Sequence, residues 1–511
     1  MAVDDAAEPG RGALAAPGSP GSSGPSPRER LAVRVVTGVF LVALFAYAGV
    51  IVFGASPLRG SPAWPDYVPG HVMFGTDSAG YYRASHHVWW ERGFFGAPMI
   101  YPLLLQVLVR NLVAVVLVQT ALYGAAWIWL ARVSARFAAR PTMRILIAAI
   151  LFALALSPEL LLWTASISTE TLSIAHAVAF LAALVSVAEQ PTRRRWTVLV
   201  GLVVLGALLR DSNTAIALLV LPAGVVAAVR FPAWRRFALA SAVVCTVVAL
   251  GVSSLANIGS VPYAGDDCDV PPTSDDCPPR WLYPLMDTIV IRVVRDEGSY
   301  DWFVARGMPD AAVVKKYTDV YELDIGEFKE PQFDEFREWI YSEGRTSYLW
   351  FLVTHPRYTL WRPVLADEQI FLPGSDSNLA PETRRSYGAY TGSTPGAIYG
   401  WFGAAAFWRW LGLVEVWALL VVLALSGLPA TPLRRDGRLR LALGVGFAVG
   451  LLHAVANYHG DAAEVGRHAI APNAQLRAIL WVTTLLAIDR WWSRRRSRQV
   501  PEGDLVADRS G

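Results

Sequence analysis

Apolar residues in this chain come in blocks of roughly 20, the length that crosses a hydrocarbon core of about 30 Å. The blocks read from the pattern are 33–53, 110–131, 143–158, 170–188, 196–209, 214–230, 237–256, 408–428, 440–457 and 474–489. The pattern predicts an all-α polytopic membrane protein with about ten transmembrane helices. Block 196–209 is short, as expected of a helix that ends inside a protein-lined cavity. The longest interruption, 257–407, mixes helical patterning at Ala311–Tyr321 and Phe333–Val353 with Pro- and Gly-rich turns. It is the size of a small domain, and Trp302, Trp339, Tyr348, Trp350 and Trp361 are divided between its own core and a membrane interface.

Arginines orient the blocks. Arg28, Arg30 and Arg34 precede the first block, and the next basic cluster is Arg132, Arg136, Arg140 and Arg144. Arg193–Arg195 follow, then Arg230, Arg235 and Arg236, then Arg434, Arg435, Arg438 and Arg440, then Arg490 and Arg494–Arg496. Every second connection is basic and the alternate ones are not, so the positive-inside rule puts both termini in the cytoplasm. An even number of spans gives the same result. The expected organisation is a disordered cytoplasmic tail, 1–30, and an N-terminal transmembrane module, 31–256, whose first extracytoplasmic loop is 54–109. A mixed extracytoplasmic loop domain (257–407), C-terminal transmembrane helices (408–490) and a cytoplasmic tail (491–511) follow. The N-terminus is not read as a secretory signal, because acidic residues and Pro come first and the apolar run after Arg34 is too long.

Composition agrees with a membrane location: 54% of residues are hydrophobic and 17% charged, less charge than a soluble domain of this length carries. A net charge of +3 gives no reason to expect a nucleic-acid partner. No glycine loop for a nucleotide is present, which argues against ATP or a nucleotide-sugar as substrate. Of the three cysteines, Cys245 sits in an apolar block as a packing residue. Cys268 and Cys277 lie in a polar segment placed outside, where a disulfide is expected; two free loop thiols are the alternative. No ligand spacing supports a metal, and no cofactor is expected.

Candidate chemistry concentrates in the outer connections. The first reads Met73-Phe-Gly-Thr-Asp77-Ser-Ala-Gly-Tyr81-Tyr82-Arg83 and continues to Tyr101-Pro102-Leu-Leu-Leu-Gln106. Asp77 opens an amphipathic helix, either as a cap or as a general base at the membrane face; Tyr81, Tyr82 and Arg83 are candidates for substrate contact. The second connection carries Ser157-Pro158-Glu159 and Thr169-Glu170, with Glu159 expected to face solvent. Glu170 either favours its helix N-terminus or lines a cavity. Arg210, beside Asp211, ends a short span; it is either paired with that neighbour or a clamp for phosphate. The last outer loop, Asn457–Pro472, carries Arg467 and His468 among other ionisable groups, more than a plain turn needs.

These motifs resemble the GT-C glycosyltransferases, which include protein O-mannosyltransferases, aminoarabinose transferases and actinobacterial arabinosyltransferases. The resemblance rests on Asp77 in the first loop, the Tyr101-Pro102 leucine stretch, Ser157–Trp163, Thr169–Leu172 and Leu209–Asn213, with a large outer domain between later spans. It departs from the family at Ser78, where many members have a second acid, and that absence weighs against a metal role for the loop. The resemblance implies a polyprenyl-phosphate-linked sugar as donor, with transfer on the outer face to a glycan, lipid or protein acceptor. It also implies donor contacts for Arg467 and His468. Membrane lipids are the remaining expected partners. The rival readings are a transporter or flippase of lipid-linked sugars and a non-catalytic scaffold.

Overall fold

The computed structural model describes residues 26–54, 75–89, 91, 94–95, 97–214, 217, 225, 228–229, 235–258, 279, 281–309, 314, 330–365, 435–460 and 465–498. Among these residues the regular structure is helical, with isolated bridge positions at Ile167 and Pro279. The first half comprises α1 (Pro27–Gly54), α2 (Gly75–Ala84), α3 (Ile100–Val107), α4 (Leu112–Ala135), α5 (Pro141–Ala155), α6 (Pro158–Leu161), α7 (Thr169–Glu189), α8 (Arg193–Leu209) and α9 (Arg235–Ile258). After it come α10 (Leu282–Thr288), α11 (Glu297–Val304), α12 (Asp334–Trp339), α13 (Arg345–Thr354), α14 (Pro356–Leu365), α15 (Arg435–Gly460), α16 (Val465–His468) and α17 (Ile470–Arg498).

Among the described residues five segments are long and apolar enough to cross a membrane: Pro27–Gly49, Leu112–Ala135, Thr169–Glu189, Arg235–Leu255 and Arg435–Gly460. A sixth forms if Pro141–Ala155 and Pro158–Ala165, bent by 60° at their junction, make one span. Helices α8 and α17 occupy the expected blocks 196–209 and 474–489 without meeting that standard, α8 being 17 residues long. Block 408–428 and nearly all of 214–230 lie outside the described residues, as do Cys268 and Cys277, so the count of ten spans and the disulfide remain expectations.

The bundle is organised around α7, buried along almost its whole length. Helices α4, α8, α15 and α17 all pack on it, so it becomes the core of the module, as a helix apolar on every side does. Small residues permit the close crossings. A Cβ on Gly446 would stand 3.1 Å from a Leu181 methyl, and one on Gly124 would stand 2.9 Å from a Leu44 methyl.

The arginine clusters separated in sequence meet at one end of this bundle. Glu189, ending α7, lies 3.0 Å from both Arg136 and Arg195 and 3.9 Å from Arg435. Arg144 pairs with Glu29 at 3.0 Å, Arg490 with Asp436 at 2.6 Å, and the buried Asp489 stands 3.8 Å from Arg140. These contacts join the starts of α1, α5, α8 and α15 to the ends of α4, α7 and α17. Chain direction therefore alternates as the charge pattern requires.

A second hydrophobic core, separate from the bundle core, holds Phe303, Phe333, Phe336, Trp339, Tyr348 and Phe351. Its residues fall within the stretch 257–407 expected as a loop domain, and Phe333–Val353 is helical as the pattern predicts. The stretch Ala311–Tyr321 lies outside the described residues except for Val314. This domain meets the bundle end opposite the arginines, where the Tyr348 hydroxyl donates to the carbonyl of His459 at 3.2 Å.

Candidate functional site

At that same end three charged side chains from distant parts of the chain converge. Glu170 stands in the first turn of α7 and is fully buried. Arg210 Nη2 lies 3.5 Å from its Oε1, and Arg467 Nε lies 3.7 Å from the same oxygen. Both arginines are buried, at 8% and 5% exposure. Local sequence explains each placement. A carboxylate is favoured where the α7 amides point outward. Helix α8 stops because Arg210 takes extended backbone, φ −158° and ψ 137°, and the Asn213 amide donates to the Gly206 carbonyl at 3.0 Å. Arg467 belongs to the short α16, fixed by Asn457 donating to the His468 carbonyl at 2.8 Å.

Two guanidiniums face one carboxylate in a desolvated place. Among the described residues neither Glu170 oxygen accepts a hydrogen bond, and Arg210 Nη1 has no acceptor. His468 takes a hydrogen bond from Arg467 at 3.0 Å. Enclosure by protein pushes the His468 imidazole well below its ordinary value, and Arg210, Arg467 and His453 add to that effect. His468 is therefore neutral near pH 7, and its Nε2 can accept from Arg467.

Helix α2 of the first loop docks beside this cluster. Ser78 donates to the Ile167 carbonyl, and the Tyr81 hydroxyl lies 3.3 Å from Thr169 Oγ1, beside Glu170. The first contact falls on the irregular stretch between α6 and α7, the second on the first residue of α7. Gln119 satisfies the same stretch from below, donating to the carbonyls of Thr164 and Ser166 at 2.9 and 2.7 Å. Non-helical backbone at this depth needs such partners. Tyr101 in turn donates to Gln119 at 3.0 Å. Burial, then the charges of Tyr81 and Glu170, hold the Tyr101 hydroxyl well above its ordinary value, so it stays protonated and remains a donor.

The structure thus brings together Tyr81, Glu170, Arg210, Arg467 and His468. Asp77 lies in the first turn of α2, but its side chain lies outside the described residues. Tyr82 turns its ring to the edge of His86, with ring centres 4.9 Å apart. Arg83 is half-buried in the last turn of α2. No group of three or more metal-ligating side chains occurs among the described residues.

Two expectations change. Glu159 does not face solvent: it is buried and interacts electrostatically with Arg477, itself buried in α17. Arg210 reaches across to Glu170, while its neighbour Asp211 is exposed. The residues unforeseen from the sequence include Gln119, Arg477 and His453, which lies 3.2 Å from Ser212. His453 lines a cavity of about 10 Å³ with His176, Asn213 and Gln475, room for about one water molecule. Arg477 carried a usable signal, since a charge inside an apolar block demands a partner; Gln119 and His453 carried none.

Fold and site define a helical membrane protein with a buried cluster of two arginines and a glutamate at one end of its bundle. No family model matches the sequence, and no curated protein matches it. Among solved structures, the chain is similar to the archaeal oligosaccharyltransferase AglB from Archaeoglobus fulgidus, determined in complex with an inhibitory peptide and a dolichol-phosphate. The TM-score is 0.38 and the identity 12%, over 93% of this chain and 53% of that one. The chain therefore spans about half the length of that protein.

Proposed function

We propose that the protein is an inverting glycosyltransferase of the GT-C kind, moving a sugar from a polyprenyl-phosphate donor to an extracytoplasmic acceptor. The observation that carries this reading is the convergence of the buried Arg210 and Arg467 guanidiniums at Glu170, with Arg210 Nη1 lacking an acceptor among the described residues. Arg210 and Arg467 bind the donor phosphate, for which guanidinium geometry is apt, and Glu170 holds the two cations in register before the lipid arrives. Location supports the reading too: the cluster lies opposite the arginine-rich end, which the positive-inside rule assigns to the cytoplasm.

Chemically, the acceptor hydroxyl oxygen attacks the anomeric carbon from the face opposite the phosphate. The bond between that carbon and the phosphate oxygen breaks, and polyprenyl phosphate departs with the electron pair. An acidic phosphate leaves without a general acid, unlike the sugar alkoxide in glycoside hydrolysis. The hydroxyl proton passes to Asp77 as general base, on the helix that Ser78 and Tyr81 dock beside Glu170. Arg210 and Arg467 stabilise the charge gathering on the leaving group.

Purified protein in liposomes is expected to transfer radiolabelled sugar from decaprenyl-phosphate donors to a cell-envelope acceptor fraction, releasing decaprenyl phosphate. Scrambling or uptake of the donor with no transfer would replace the reading with a transporter.

A further inference from the structure

Away from the bundle, the loop domain carries an open cleft of about 450 Å³, lined by Arg306, Gly307, Glu343, Thr346, Ser347 and Trp350. We propose that this cleft binds a saccharide chain. Glu343, Thr346, Ser347 and Trp350 recur at helical spacing, so they share one face. Tyr348, on the opposite face, is buried and bonds to His459 at the bundle. The stripe therefore points outward while its helix is anchored next to the site. Trp350 is 56% exposed, so its ring is open to a ligand. A flat indole beside a carboxylate, two hydroxyls and a guanidinium complements a sugar ring, which has one apolar C–H face and a rim of hydroxyls. Such pockets combine an apolar platform with a few placed polar groups.

The facing wall is rigid. The Arg306 guanidinium stacks 3.6 Å over the Trp302 ring and donates to the Trp302 carbonyl at 3.2 Å. The Arg306 carbonyl accepts from the Trp339 indole at 3.4 Å. Gly307 follows with φ +86°, a turn that favours glycine. Preformed donors and a preformed platform lower the ordering cost of binding. An extended peptide would look for a sheet edge or a row of apolar pockets, and the lining here offers one indole among four polar side chains. Assigning this saccharide to the acceptor of the transfer reaction rests on the function proposed above; the binding itself does not.

The test is saturation-transfer NMR of detergent-solubilised full-length protein with maltohexaose, mannohexaose and arabinohexaose. At least one is expected to receive saturation on ring C–H protons. Trp350→Ala, an exposed position that folding tolerates, is expected to weaken binding roughly tenfold, the scale of losing a central aromatic contact. Thr346→Trp, which fills the cleft, is expected to abolish the signal. Saturation of none of the three, or binding unchanged in both variants, overturns the proposal, as does a serine-rich peptide binding there in their place. Saccharide binding at Trp350 in a protein that transfers no sugar would sink the transferase reading and leave the cleft standing. Transfer without saccharide binding would sink the cleft alone.

Discussion

Glu170→Gln is expected to destabilise the protein by about 3–5 kcal/mol, the usual cost of removing one partner from a buried ionic cluster. Two buried guanidiniums lie within 3.7 Å of this carboxylate. Glutamine keeps the shape and removes the negative charge that both guanidiniums face in a desolvated site. The thermal midpoint in detergent should fall clearly below that of the parent. In a double-mutant cycle, adding Arg210→Met should restore part of the loss, because it removes one of the two cations that faced Glu170. A midpoint within a degree of the parent would show that the three groups are not electrostatically dependent on one another.

Asp77→Asn is expected to retain less than a few per cent of transfer activity, within the hundredfold to ten-thousandfold range, roughly, of a lost general base. The amide is nearly isosteric, so insertion, expression and donor binding should be preserved. Direct displacement with an acidic leaving group requires one proton acceptor on the enzyme, so a single carboxylate has a large share of the rate to lose. The position is chosen on the helix that Ser78 and Tyr81 hold against Ile167 and Thr169. Turnover of purified Asp77→Asn near the parent rate would assign the base elsewhere.

Hydropathy made much of the bundle legible because burial in lipid is imposed along whole helices. Block 170–188 emerges as Thr169–Glu189, and block 237–256 as Arg235–Ile258. The arginine pattern was equally readable, since clusters that alternate along the chain must gather at one end once the helices run up and down. Chain breaks were less visible. The block 143–158 reads as a simple span, yet the chain bends by 60° after Ala155 and carries Glu159 into the bundle. Ser157-Pro158 marked a helix start there, because Pro suits the first turn, but hydropathy averages over such a feature.

Pairing across the bundle was not legible. Asp211 is Arg210's neighbour in sequence, but Glu170, 40 positions earlier (210 − 170), is the partner in space. The end of α8 and the start of α7 are brought together by packing, which leaves no local trace. Arg467 and His468 were candidates because polar groups are dense in their loop, whereas their convergence on Glu170 is a property of the fold.

The central claim is that Arg210 and Arg467 hold a lipid-linked phosphate. Its most direct test is the binding of decaprenyl phosphate and of decaprenol, the same chain without the phosphate, to purified protein by native mass spectrometry. The account predicts that the phosphate binds far better than the alcohol, and that the preference disappears in Arg210→Met and Arg467→Met. Equal binding of phosphate and alcohol, or a preference that survives both substitutions, would contradict it.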